Sequence, residues 1–195
     1  MNLETMIDIK AFFEQSEGKW FTQRTRYDLA QKKVENGNAD LTVELLNSDD
    51  SAMLVERWLR HIEALYEQGK STLQGNASIE QGLLDLSAAK ISWDAGEEKG
   101  ANLILFLPDN DSQQQGQFLQ NQINTDRAVT VGNFIIGEDE ALTLFTLSND
   151  NNVIKERLWF AHPNLRLRTV WQENETGQQG WVMFYSEIRR INSDQ

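Results

Sequence analysis

Through most of the chain's C-terminal two-thirds, short runs of strand character, apolar at 102–107 and alternating within 156–169, are divided by polar breaks at near-regular spacing. The rhythm predicts strands over residues 86–93, 102–107, 117–123, 128–136, 141–147, 153–161, 165–172 and 180–189. Between them lie polar breaks at 94–100, 108–115, 137–140, 148–152 and 173–179, and a Pro163-Asn164 turn. The N-terminal part is less uniform. Ile7, Ile9, Phe12 and Phe13 predict a short amphipathic helix ending at Gly18, and a strand follows from Gly18 through about Lys33. On that strand Trp20, Thr22, Arg24 and Arg26 share one face, and Phe21, Gln23, Thr25, Tyr27 and Leu29 the other, so mixed polarity leaves the inward side open. Glu35-Asn-Gly-Asn38 predicts a tight hairpin and residues 39–46 a second strand. Ser48, Asp49 and Asp50 suit a helix start, Leu54, Trp58, Ile62 and Leu65 recur on one helical face, and Gly69 suits its end. Residues 71–92 follow no clear pattern until the strand at 86, with Gly75 and Gly82 interrupting. Short strands at near-regular spacing predict an all-β antiparallel barrel or sandwich of about ten strands, with one substantial helix between the second and third.

Composition narrows this picture. The 195 residues suit one domain spanning residues 1–195, and neither a repeat nor a linker interrupts them. A net charge of -12 argues against nucleic acid or an anionic membrane as partner, so the arginines act locally. No apolar run is long enough to span a membrane, and the start does not read as a secretory signal; the expectation is a soluble, intracellular chain. With no cysteine there is no disulfide, thiolate nucleophile or thiolate metal site, and His61 and His162 are too few for a metal cluster. No metal and no resident cofactor are expected.

The chemistry concentrates between Glu156 and Thr169. Alternation places Glu156, Leu158 and Phe160 on one face of the first strand, and Arg166 and Arg168 on one face of the second. A hairpin of this kind presents a carboxylate and two guanidinium groups to one bound molecule. If the arginines face a cavity, Leu165 and Leu167 face outward and need cover.

The same stretch, Glu-Arg-Leu-Trp-Phe-Ala-His-Pro-Asn-Leu-Arg-Leu-Arg-Thr, resembles the signature of the CpcS/CpeS/CpcU-type phycobiliprotein lyases, which attach open-chain bilins to cysteines. Gly18-Lys-Trp-Phe-Thr-Gln-Arg-Thr25, the run from Gly137 to Thr146, and Tyr185-Ser-Glu-Ile-Arg189 agree with it in order and spacing. Gly-x-Trp at a first strand also resembles the lipocalin and fatty-acid-binding (calycin) barrels. The resemblance implies a phycocyanobilin-like bilin as substrate and a phycobiliprotein subunit as acceptor. It makes Glu156 the catalytic residue and Arg166 and Arg168 bilin-binding, with Arg24 and Trp93 as further bilin-binding candidates. Arginine forks suit propionates, and a carboxylate can accept pyrrole N–H bonds. It also implies a cyanobacterial cytosol, or a plastid stroma if the source is an alga. Ser87 and Val170 stand where such lyases often carry tryptophan and serine, which points to a related lyase subunit or a homodimer. A bilin carrier without transfer activity, and an assembly factor with a filled barrel, are the competing readings.

Overall fold

The computed structural model describes residues 7–67, 87–109, 112–123, 128–148, 152–173 and 179–191. Ten antiparallel strands close into a barrel, and two helices flank it. In chain order these are α1 (Ile9–Ser16), β1 (Gly18–Asp28), β2 (Lys33–Leu45), α2 (Ser48–Glu67), β3 (Ser87–Asp94), β4 (Lys99–Asp109) and β5 (Ser112–Gln122). They continue with β6 (Thr130–Ile136), β7 (Leu142–Leu147), β8 (Val153–His162), β9 (Leu165–Glu173) and β10 (Gln179–Arg189). Each strand pairs with its neighbours in sequence, and β10 closes on β1. Closure removes the exposed edges that an open sheet of this size would carry.

The two faces of the sheet bury different partners. Inward residues such as Val43, Ile104, Phe106, Phe118, Phe134 and Leu142 form one cluster with Ile9, Phe12 and Phe13 of α1, which plug one end. Asp8 starts α1 by accepting from the Ala11 N–H at 2.7 Å, and Gly18, with φ 119°, turns the chain from α1 into β1. Trp20 is locked under that end, its indole N–H donating to the Ser16 carbonyl at 2.9 Å. Outward residues Ala88, Leu105, Leu107 and Leu119 form the second cluster with Leu54, Val55 and Trp58, so α2 covers the outside of β3–β5 rather than an opening. Among the described residues no helix is long and apolar enough to cross a membrane.

Three local expectations are corrected. Asn36 and Gly37 do not turn; they lie inside β2, and the chain reverses at residues 29–32, where the Asp28 carboxylate accepts the Gln31 N–H at 2.8 Å and Lys32 has φ 54°. A turn at Asn36-Gly37 would set Trp20 opposite Met53, already inside α2, whereas the observed register sets it opposite Leu41 and buries both. Most of the polar stretch 108–115 is strand, because Gln115 and Gly116 pair with Ile135 and Phe134 through the backbone while Gln113 and Gln115 turn to solvent. The cap of α2 is Asn47, whose side-chain oxygen accepts the Asp50 N–H at 2.9 Å, one residue earlier than Ser48. The predicted stop at Gly69, the loose stretch from 71 to 86 and the side chains of Ile62 and Leu65 lie outside the described residues.

Candidate functional site

Above the plug the lumen opens into a cavity of about 740 Å³. Its floor includes Phe13, its walls include Leu41, Ile91, Ile104, Leu142, Leu144 and Leu158, and its exposed mouth includes Arg24, Asn38, Glu97 and Glu98. Glu156, Arg166, Arg168, Arg24 and Trp93, the five residues singled out from the sequence, all line it. Strand register explains why. Phe160, Arg166, Glu187 and Thr22 form one row of cross-strand partners on β8, β9, β10 and β1, and Leu158, Arg168, Tyr185 and Arg24 form the next. The undecided face of β1 is therefore settled: Trp20, Thr22 and Arg24 point into the barrel.

Charge is balanced deep in the site and unbalanced at its mouth. Glu187 is fully buried, and its Oε2 accepts from Arg166 Nε at 2.5 Å. Arg166, only 4% exposed, also stacks over Trp20 with its guanidinium carbon 5.1 Å from the ring centre. Arg168 bridges two acids, donating to Glu156 Oε1 at 3.0 Å and lying 3.3 Å from Glu187 Oε1, and its guanidinium stacks on Tyr185 at 3.8 Å. Burial raises the Glu187 carboxyl, yet Arg168 and Arg166 outweigh it and hold the group below its ordinary range. Burial likewise lowers Arg168, but Glu187, Glu156 and Tyr185 hold it above the usual arginine value. Both groups are therefore fixed in their charged forms near neutrality. Arg24, in contrast, pairs with no carboxylate among the described residues and lies across Gly37.

Glu187 and Tyr185 are the site residues that sequence reasoning missed. A signal was present, because Met183, Tyr185, Glu187 and Arg189 alternate on β10 as an inward set does, but which face is inward follows only from the pairing with β9. Arg189 belongs to the plug: it stacks on Trp20 at 4.1 Å and donates to the Gln15 and Glu17 carbonyls at the end of α1. Arg157 pairs with Asp139 outside the lumen. Ser87 is buried at the plugged end and Val170 faces inward opposite Glu156; neither lines the cavity. Thr22 Oγ1 is a buried polar atom without a hydrogen-bond partner among the described residues, one cross-strand step from Glu187. Among the described residues no group of three or more His, Cys, Asp or Glu converges to hold a metal.

Proteins similar in sequence match along nearly the whole chain. "Chromophore lyase CpcS/CpeS" of Thermosynechococcus vestitus is 34% identical over 183 residues, covering 94% of this chain and 93% of that protein. "Chromophore lyase CpcS/CpeS 1" of Trichodesmium erythraeum is 32% identical over 193 residues, covering 96% and 100%. "Phycocyanobilin lyase subunit CpcS" of a Picosynechococcus species is 27% identical over 169 residues, covering 86% and 79%. The barrel itself matches the solved structure of the S-type phycobiliprotein lyase CPES from Guillardia theta, with a TM-score of 0.66 at 22% identity, across 96% of this chain and 95% of that one. The family profile described as "CpeS-like protein" matches residues 8–190, which takes in α1, every strand and the charged lumen. The chain belongs to the CpeS-like family.

Proposed function

We propose that this chain is a phycobiliprotein chromophore lyase, or a subunit of one, that holds an open-chain bilin in the lumen while a cysteine of a phycobiliprotein adds to it. The observation that carries this reading is the convergence of Arg24, Arg168, Glu156 and Trp93 on one half-apolar cavity of about 740 Å³. That volume falls within the range of about 300–1,000 Å³ usual for small-molecule sites. A bilin is flat and apolar along its length, with two propionates and a row of pyrrole nitrogens. Arg24, which makes no ion pair among the described residues, suits a propionate. Arg168 can exchange one of its acid contacts for another carboxylate, and the Glu156 it releases can accept pyrrole N–H bonds and favour the protonated pigment. Arg166 is paired through Nε with Glu187 and is only 4% exposed on the cavity lining, so its main part is to position Glu187, which in turn holds Arg168.

The reaction needs no nucleophile or redox partner from the lyase. The acceptor's S–H adds across the exocyclic double bond of the bilin A ring: a C–S bond forms, the ring carbon takes the proton, and nothing leaves. Protonating the tetrapyrrole, with Glu156 as counter-charge, makes the exocyclic carbon that receives the sulfur more electrophilic, and the cavity supplies orientation. Because the chain has no cysteine, it cannot trap the pigment on itself as a thioether. A cytosolic or stromal location belongs to the same proposal.

A partner subunit also belongs to it. Leu165 and Leu167 turn outward as the inward arginines require, but both are half-buried, and the exposed apolar strip continues on neighbouring strands. Ile188, opposite Leu165, is 50% exposed and Phe184 is 48% exposed, with Tyr27 packed edge-on against the Phe184 ring at 6.1 Å. This strip on the outside of β1, β9 and β10 suits association with a second copy or a related lyase subunit.

A cavity of this size argues against the filled-barrel reading. A carrier without transfer activity is not favoured, because the relatives carry lyase names. The test combines the purified chain, phycocyanobilin and apo-acceptor, with and without a related subunit, and scores zinc-fluorescent acceptor on a denaturing gel. Pigment attached to one cysteine faster than in the lyase-free control is expected. Equal rates in every arm would refute a lyase role.

A further inference from the structure

Two glycines, Gly37 inside β2 at the cavity wall and Gly100 at the second position of β4 opposite Trp93, sit in strands without needing a glycine backbone. Neither has the positive φ found at Gly18, Gly96 and Gly116. Glycine in a strand interior weakens the strand, so its presence calls for a reason of space. At Gly100 the reason is Trp93, its cross-strand partner: a Cβ there would lie 2.3 Å from Cζ2 and 2.8 Å from Cε2 and Cη2 of the indole. At Gly37 it is Arg24, again the cross-strand partner, with a guanidinium nitrogen 3.3 Å from where the Cβ would be. The same arrangement recurs in the packed core, where Phe118 covers Gly132 with ring atoms 2.6 Å from the Cβ position. There the ring is fully buried and packs on Phe106, so the glycine serves packing. Trp93 instead lines the cavity and is only half-buried.

We infer that Gly100 is a positioning residue whose missing side chain seats the Trp93 indole flat against the β4 wall, leaving a ring face toward the lumen on which a flat conjugated ligand stacks. Any side chain at position 100 drives the indole off the wall and into the space the ligand occupies. Gly37 gives a graded comparison, because a Cβ at 3.3 Å asks only a small shift of a flexible arginine, whereas 2.3 Å asks a rigid ring to leave. The stacking role rests on the bilin reading above; the seat itself does not.

The seat is read first on the parent chain without ligand, by NMR. The α-protons of Gly100 are expected upfield by ring current, returning to ordinary positions in Trp93→Leu; ordinary positions in the parent overturn the inference whatever the chain binds. Phycocyanobilin titrations then compare the parent, Gly100→Ala, Trp93→Ala, the double variant and Gly37→Ala. Gly100→Ala is expected to weaken binding by about ten-fold or more, the scale of an overpacked site. In the Trp93→Ala background the same change is expected to stay within about two-fold, since the two residues act as one unit. Gly37→Ala is expected to stay within about three-fold of the parent, a side-chain adjustment rather than a displaced ring. Unchanged binding by Gly100→Ala, or an equal loss in both backgrounds, overturns the inference. If the parent does not bind phycocyanobilin, the functional reading falls and the Gly100 shifts alone decide the seat.

Discussion

Replacing Glu187 by Gln keeps the side chain's size and removes the charge that holds two arginines. Glu187 is fully buried, with Arg166 at 2.5 Å and Arg168 at 3.3 Å, so the neutral amide leaves Arg166 buried with no carboxylate and Arg168 with Glu156 alone. Breaking a buried ion pair from one side costs about 3–5 kcal/mol, and Gln retains an acceptor oxygen, which places the loss near about 3 kcal/mol. For a chain of this size each kcal/mol moves the midpoint by about 2–4 °C, giving a fall of about 6–12 °C at neutral pH. The pH dependence gives an independent check. Because the folded chain holds the Glu187 carboxyl below its ordinary range, the contribution is complete above about pH 4.3, the usual glutamate value, and is lost as pH falls through the folded value. Thermal melts followed by circular dichroism at pH 7, 5 and 3.5 should show parent and variant about equally far apart at pH 7 and 5 and closer together at pH 3.5. A Glu187→Gln midpoint within about 1 °C of the parent at pH 7 would refute the reasoning, since even half the expected loss moves it further.

The other lumen charges separate stability from binding. Arg166→Ala should cost about 3 kcal/mol of folding stability by uncovering Glu187, measured in urea, and so weaken pigment binding only indirectly. Arg24→Ala, at the exposed mouth, should leave stability within about 0.5 kcal/mol of the parent while weakening phycocyanobilin binding by about 1.5–3 kcal/mol, the worth of a charged hydrogen bond. Glu156→Gln should bind the pigment but return its absorption toward that of the unprotonated form, read by visible spectroscopy, and should slow transfer to the acceptor.

The barrel was legible because the stretches that form β6 to β10 carry strand-forming residues and are divided by polar breaks at near-regular spacing, all properties of neighbouring residues. The site was legible where alternation fixed a shared face, as for Arg166 and Arg168. Where both faces of a strand mix polar and apolar residues, as around Arg24, the inward side is set by pairing with β10 and could not be read locally. Glu187 escaped for the same reason: its partners lie one strand away, and nothing in Tyr-Ser-Glu-Ile-Arg says that this glutamate will be fully buried. Asn36-Gly37 misled in the opposite direction. Its local preference for a turn lost to a register that sets Trp20 opposite Leu41 and leaves Gly37 beneath Arg24. The glutamine-rich start of β5 reads as loop, yet a barrel strand needs backbone partners more than apolar side chains.

The central claim, that the lumen holds a bilin by its propionates, is tested most directly by titrating the chain with phycocyanobilin and with its dimethyl ester, followed by absorbance. The free acid should give a saturable spectral change at one pigment per chain, and the ester, which has lost both negative charges, should bind at least about ten-fold more weakly. Equal binding of acid and ester, or no saturable change with either, would contradict it.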